Sequence, residues 1–294
     1  MAEYSIKDVE TLTGIKAHTL RVWEKRYGFT NPGRTETNIR TYTDEEIRRL
    51  LSVSILYNQG FKVSKIAALN KEQLTKKILS LNDSVPNIGS TIEGLVLAMI
   101  DLDEVRFEKI FNSSVLKIGF EDTITKGIYP FMERIGVLWM VGTIHPAQEH
   151  FVSNIIRQKL IVAIDAQDSP KATTPSFLLF LREGELHELG LLFFYYLIKK
   201  SGYKVIYLGQ NVPTDDLFKV IQKHQPDFLL TSFIAAIEKS EFEKYLNNLL
   251  NGAKSAKLFI SGAFAAQYQS VIPKTVTLLQ SATQFNSYLA DIRS

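Results

Sequence analysis

With 294 residues the chain is long enough for two or three domains. It contains no cysteine, which excludes a disulfide framework, a thiolate metal site and a thiol nucleophile. The net charge of +3 is small but uneven: residues 1–70 carry eleven Lys/Arg against eight Asp/Glu, and the remainder is neutral.

The first segment, YSIKDVETLTGIKAHTLRVWEKRYGF, reads as a helix-turn-helix. A short helix is predicted over Ile6–Leu12, a turn at Thr13-Gly14 and a second helix over Lys16–Tyr27. At about 100° per residue, Leu20, Trp23 and Tyr27 fall on one side of that helix, and His18, Arg21 and Lys25 on the other. One face suits a core and the other offers donors to a groove. A plain amphipathic helix pair has the same periodicity. NPGRTETNIRTY then places a Pro-Gly turn before Arg34, Arg40 and Tyr42, and Thr43 with Glu46 forms a capping box at the head of IRRLLSVSILYNQGF. Between Lys16 and Arg40 there are six basic residues and two acidic ones. This succession of helix-turn-helix, basic wing and capped helix resembles the MerR regulators over residues 4–70, in particular their W-E-x-R-Y-G branch. The resemblance implies double-stranded promoter DNA as partner, a palindromic site and a homo-oligomer, dimer or tetramer. It also assigns Arg21, Arg34 and Arg40 to phosphates, His18 and Lys25 to bases or phosphates, and Tyr42 to the same interface. KEQLTKKILSLN is short where such proteins often extend a coiled coil, so assembly is expected to depend on the later domains.

LNDSVPNIGS is rich in turn residues and reads as a linker. From Thr91 to Gln167, Leu95, Val96, Met99, Phe107, Ile110 and Phe111 recur at helical spacing, which predicts a helix bundle. DSPKATTP reads as a second linker. Beyond it, SFLLFL, YKVIYLG, DFLLTSF, KLFISG and TVTLLQ are continuous apolar strands. Helical stretches at Leu189–Lys200, Thr214–His224, Glu241–Leu250 and Thr283–Ile292 separate them. That alternation predicts a doubly wound, flavodoxin-like parallel sheet. The longest apolar run, Leu189–Ile198, is too short to span a bilayer, and MAEYSIKDVE lacks a signal-peptide layout. The expectation is a cytoplasmic protein without membrane contact, multidomain α and α/β. Its expected parts are a winged helix-turn-helix head (1–75), a central four-helix bundle (90–167) and the sheet domain (175–294).

One polar knot, GELHELG from Gly184 to Gly190, interrupts the greasy run at the end of the first of these strands. It raises the question of why a histidine should be flanked by Glu185 and Glu188. In open parallel sheets ligands bind beyond the carboxyl ends of strands. There His187 suits a metal through a neutral ring nitrogen, Glu185 suits the other nitrogen, and Gly184 and Gly190 permit close backbone approach. A single loop histidine equally suits a surface hydrogen bond. ELHELG resembles the E/D-x-H-x-x-G motif of cobalamin-binding domains, and YLGQNVP supplies Gly209, Val212 and Pro213 where that fold has a G-x-x-V-P turn. The resemblance implies His187 as the lower axial cobalt ligand, with Glu185 behind it and Gly190, Gly209 and Val212 around the cofactor. Ser232 of LLTSF and Gly262 of ISGAF would then flank the displaced nucleotide tail, with Ala263 in place of a second glycine.

Within the helical segment, nine residues separate Trp139 from Glu149-His150. W-x9-E-H resembles the cap of photoreceptor regulators of the CarH and LitR kind, which join a MerR head to a cobalamin domain. By that resemblance Trp139 is a lid on the upper ligand, Glu149 meets the ribose hydroxyls of an adenosyl group, and His150 belongs to the same site. Met140 stands where such photoreceptors carry a histidine able to take the upper cobalt position, and His145 is the nearest substitute. The reading that follows is a non-enzymatic transcriptional repressor governed by adenosylcobalamin, with light as the signal through photolysis of the Co–C bond. Two others compete with it: a DNA-binding regulator whose last domain serves a protein antirepressor without cofactor or light, and a corrinoid methyl-carrier or mutase component.

Overall fold

Ser5 begins the first helix, α1 (Ile6–Thr13), with a reciprocal cap: its hydroxyl accepts from Asp8 N, and Asp8 Oδ2 accepts from Ser5 N at 2.7 Å. Gly14, in the left-handed conformation, ends α1 and makes the turn into α2 (Ala17–Tyr27). The expected wing forms from β2 (Gly33–Arg34) and β3 (Arg40–Tyr42), paired antiparallel. A strand not expected from the sequence, β1 (Tyr4–Ser5), covers the other edge of β3. Helix α3 (Asp44–Asn58) starts at the expected capping box, with Glu46 N donating to Thr43 Oγ1 and Thr43 N donating to Glu46 Oε2. Helix α4 (Val63–Ala67) follows.

The computed structural model describes the chain apart from residues 1–3, 36, 59, 75–76, 78–87, 141–143, 169–173, 254 and 294. Both expected linkers fall largely outside the described residues. Two compact units are formed, Met1–Val152 and Ser153–Ser294. The first joins the head to the helical segment: α5 (Ile88–Ile100), α6 (Glu104–Ile118) and α7 (Phe120–Asp122), which runs through a π-helical turn at Thr123–Ile128 into α8 (Tyr129–Met140). Helix α9 (Pro146–Asp165) begins in this unit. Within the unit α1 packs against α8 and α3 against α5. Arg48 of α3 pairs with Asp101 at 3.3 Å, and Asn58 Nδ2 donates to the buried Glu93 at 3.0 Å. The head thus rests on the bundle through the helices that do not carry His18, Arg21 and Lys25.

The second unit holds all five expected strands: β4 (Ser176–Arg182), β5 (Lys204–Val212), β6 (Phe228–Ser232), β7 (Lys257–Ser261) and β8 (Val276–Leu278). They are parallel throughout, in the order β5-β4-β6-β7-β8. Phe177–Leu181 are wholly buried, as an uninterrupted apolar strand covered on both faces must be. Helices α10 (Leu189–Lys200) and α11 (Thr214–His224) occupy the expected ranges, while α12 (Lys239–Gly252) and α14 (Ala282–Arg293) run slightly longer. The short α13 (Ala263–Gln267) follows β7. The chain leaves β4 for β5 on one side and returns to β6 on the other, so the loop after β4 lies at the switch point, where an open α/β sheet receives its ligand. Among the described residues no helix is long and apolar enough to cross a membrane.

Candidate functional site

In the head, Leu20 and Trp23 bury one face of α2. The Trp23 ring meets Tyr57 edge-on at 4.9 Å and Phe29 at 5.9 Å, which fixes the rotation of the helix. His18, Arg21 and Lys25 are consequently exposed together. With the wing, α2 frames a concave surface lined by Arg21, Lys25, Asn31, Arg34 and Arg40. Arg34 is exposed, with Nη1 donating to Asn38 Oδ1 at 2.6 Å.

The structure revises one of the expected DNA contacts and gives another an intramolecular partner. Tyr42 is wholly buried and its hydroxyl donates to Glu24 of α2. Burial first, and then the Glu24 carboxylate, raise the pKa of this phenol, so it remains a neutral donor. Arg40 Nε donates to the other Glu24 oxygen at 3.0 Å. Tyr42 is therefore a brace between wing and recognition helix and does not reach the surface. Arg40 faces the concavity already sharing its charge with Glu24. The sequence carries Glu24 in W-E-x-R-Y-G, but not its partners sixteen and eighteen residues away.

At the switch point, Glu185 has no exposed surface, and its carboxylate accepts four hydrogen bonds. Two come from His187, through Nδ1 at 2.6 Å and the backbone N at 3.1 Å. The others come from the backbone N–H groups of Ile234 at 2.8 Å and Ala235 at 2.6 Å, just beyond β6. Burial alone would raise its pKa; the donors outweigh burial and bring it down to about 2. An ionised carboxylate only accepts, so His187 Nδ1 is the donor, and in the neutral form of the ring the lone pair is on Nε2. That is the state required of a metal ligand. The loop is pinned from β5 as well: Gly184 N donates to Asn211 Oδ1 at 2.9 Å, and Asn211 N to Glu185 O at 3.2 Å.

Glu188 has a different task. It is nearly buried and accepts from Arg157 Nε of α9 at 2.5 Å and from the Tyr207 hydroxyl of β5 at 2.9 Å. Tyr207 stacks on Tyr195 with ring centroids 5.1 Å apart. One glutamate of the knot thus orients the histidine, and the other ties the loop to α9 and β5. The sequence shows the two carboxylates, but their partners become legible only in three dimensions.

The surroundings fit a corrinoid. The His187 side chain is 59% exposed, and beside it Leu186 and Ile234 leave apolar surface uncovered. Gly190 lies in the first turn of α10, where a Cβ would meet nothing within 4 Å. A helical glycine costs about 1 kcal/mol relative to alanine, and among the described residues no atom demands it. Gly262 differs: at φ +104° a Cβ would come within 2.3 Å of the Phe233 carbonyl, so protein packing alone requires glycine. Ala263 is exposed at the start of α13. Ser232 is buried, with its hydroxyl on that of Ser261 in the paired strand β7. Gly209 has a left-handed φ near the end of β5, and Val212 is buried where that strand ends.

In the first unit, Glu149 lies in the first turn of α9, with Oε2 3.0 Å from the Nδ1 of the exposed His150. His145 is exposed, its backbone N donating to Gln148 Oε1 at 3.0 Å. Trp139 and Met140 stand at the end of α8; their side chains lie outside the described residues.

Comparison with known proteins places these features in one context. The MerR HTH family regulatory protein profile matches residues 4–73, and two B12 binding domain profiles match residues 91–163 and 175–274. The chain is 28% identical over 280 residues to the HTH-type transcriptional repressor CarH of Myxococcus xanthus, covering 92% of this chain and 93% of that protein. It is 29% identical over 269 residues to the repressor CarA of the same organism, covering 91% and 89%. Among solved structures, the monomethylamine corrinoid protein of Methanosarcina barkeri superposes with a TM-score of 0.54 at 16% identity, over 74% of this chain and 99% of that one, a likeness of fold. A MerR head, two B12-binding matches in order and near full-length similarity to two repressors lead to one conclusion: the chain is a MerR-type transcriptional regulator with B12-binding domains, homologous to CarH and CarA.

Proposed function

We propose that this regulator is a repressor that binds adenosylcobalamin and changes its assembly and DNA affinity with the state of that cofactor, light being the signal. The observation that carries the reading is the Glu185–His187 pair at the switch point of a sheet in a chain that opens with a MerR head. In this reading His187 would hold the cobalt through Nε2, with Glu185 fixing the ring through Nδ1. Gly190, Gly209 and Val212 leave room for the ring system, and Ser232 and Gly262 border the nucleotide tail. The α8–α9 junction supplies Trp139 as a lid and Glu149, with His150, as the partner of the adenosyl hydroxyls. The cofactor contributes a light-sensitive cobalt–carbon bond; the chain contributes placement. On the DNA side, Arg21, Arg34 and Arg40 meet phosphates, while His18 and Lys25 face the groove. Repression is proposed from the two homologues, which are themselves repressors. Assembly as a dimer or tetramer would let several heads act on one promoter and raise avidity without new contacts.

The test is the absorbance of the purified chain with adenosylcobalamin, in the dark and after illumination, beside promoter binding under the same conditions. Dark binding with a protein-bound spectrum that His187→Ala alters, and a light-dependent change in promoter affinity, are expected. A chain that binds its promoter but shows no bound spectrum would overturn cobalamin control and leave the cofactor-free reading, in which a protein antirepressor is the effector. Cobalamin binding without promoter binding would instead favour the corrinoid-carrier reading. Met140 refines the light step: standing where a histidine would follow Trp139, it would offer the illuminated cofactor no nitrogen donor. Met140→His should slow exchange of the illuminated cofactor. A bis-histidine spectrum in the parent, abolished by His145→Ala, would overturn that expectation.

A further inference from the structure

We propose that Val22 reads the methyl group of a thymine in the major groove, and so sets part of the operator sequence. The proposal rests on the head's DNA-binding reading and adds a sequence determinant to it. Val22 is 53% exposed, although it directly precedes Trp23, which is 6% exposed. The aromatic contacts of Trp23 with Phe29 and Tyr57 lock the rotation of α2, so the next position round the helix, about 100° away, is held outward. On the same angular reckoning Val22 lies within about 100° of arc together with His18, Arg21 and Lys25. It lines the concave surface between α2 and the wing, where it is the one apolar side chain that α2 contributes, beside Arg21, Glu24 and Lys25. The carboxylate of that set is already engaged by Arg40 and Tyr42, so the surface presents donors and one branched apolar group.

The described residues of the head leave Val22 53% exposed, so packing within the head does not select valine at this place. A β-branched residue is a poor helix former, and its exposed methyls forgo burial. In a duplex the base edges of the major groove offer donors, acceptors and one apolar feature, the C5 methyl of thymine. A valine among cations that hold the helix on phosphates is placed to cover that methyl, and burial then benefits both partners.

Deoxyuridine lacks only this methyl, which makes the test specific. A preferred duplex is first selected from a random pool with the full chain, alone and with adenosylcobalamin in the dark. Each thymine is then replaced singly by deoxyuridine, and affinities are measured for the parent and for Val22→Ala, whose thermal midpoint verifies the fold. At one thymine, or its symmetry mate, loss of the methyl should weaken the parent by about three- to fivefold, the worth of one buried methyl. Val22→Ala should bind the thymine site more weakly and lose that sensitivity at the same position. A parent indifferent to every replacement, or a variant that keeps the full sensitivity, would overturn the assignment while leaving DNA binding intact. Failure to select any duplex would overturn both this inference and the DNA-binding reading.

Discussion

Two buried glutamates, one in each unit, have opposite electrostatic fates. Glu185, at the switch point, has no exposed surface and is held at a pKa of about 2. Glu93, in the helical segment beneath the head, is 5% exposed and is pushed up to about 7. Burial disfavours the charge in both. Among the described residues Glu185 receives four donors, whereas Glu93 receives one from Asn58, and its Oε2 is buried without a hydrogen-bond partner. The attraction of the nearby Arg134 does not make up the difference, because that guanidinium is itself desolvated. The contrast shows that the number of directed donors, more than depth, decides whether a buried carboxylate stays ionised. It also separates a rigid site, built to hold a histidine, from a junction between head and bundle whose charge is marginal near neutral pH.

The largest expected effect comes from emptying the rigid site. Glu185→Ala should lower the unfolding free energy by roughly 3 kcal/mol, as breaking a charged hydrogen-bond network does, because two backbone N–H groups and the His187 ring lose their acceptor. His187→Ala should cost much less, since the carboxylate keeps Ile234 and Ala235. Urea denaturation of the two variants without cobalamin checks this. Equal losses would mean that the glutamate serves the histidine alone.

Glu93 tests the other side of the contrast. Its folded-state pKa lies above the value of 4.5 for an open carboxyl, so the folded state holds the proton more tightly. The resulting contribution is fully present below pH 4.5 and is lost as pH rises through about 7. It amounts to at most about 3 kcal/mol. In the same window Glu185 contributes no slope, because its stabilisation is lost only as pH falls from about 4.5 through about 2. Glu93→Gln should therefore flatten the pH dependence of thermal unfolding between pH 4.5 and 7. An unchanged profile would show that another group governs it.

A third carboxylate, Glu24, extends the comparison to the surface. Arg34→Ala should weaken promoter binding several-fold and reduce the salt slope by about one, the signature of a lost phosphate contact. Arg40→Ala should weaken it further, because Glu24 is then uncovered beside the phosphates. The double variant with Glu24→Gln should recover the excess loss in a binding titration, and no recovery would detach Glu24 from the interface. The smallest effect is expected at Arg157, which is about half exposed. Arg157→Ala should cost under about 1 kcal/mol by thermal unfolding, as partly solvated ion pairs do.

The amino-acid sequence by itself determined the order of elements and the placement of the motifs. Five apolar strands with helices between them, the cap at Thr43 and Glu46, and the polar knot at the end of β4 follow from short-range patterns of hydrophobicity and turn chemistry. These patterns are local, so a linear reading reaches them. Only the tertiary structure decided which carboxylate holds which donor. Glu185 and Glu188 are three residues apart and chemically identical, yet one turns to His187 and the loop beyond β6, and the other to Arg157 and Tyr207. Tyr42 reads as a contact in sequence and proves to be a brace, because the antiparallel pairing of β3 with β1 carries it inward onto Glu24. Such choices depend on partners far along the chain and on which side of a strand faces inward, and these are fixed only when the sheets close.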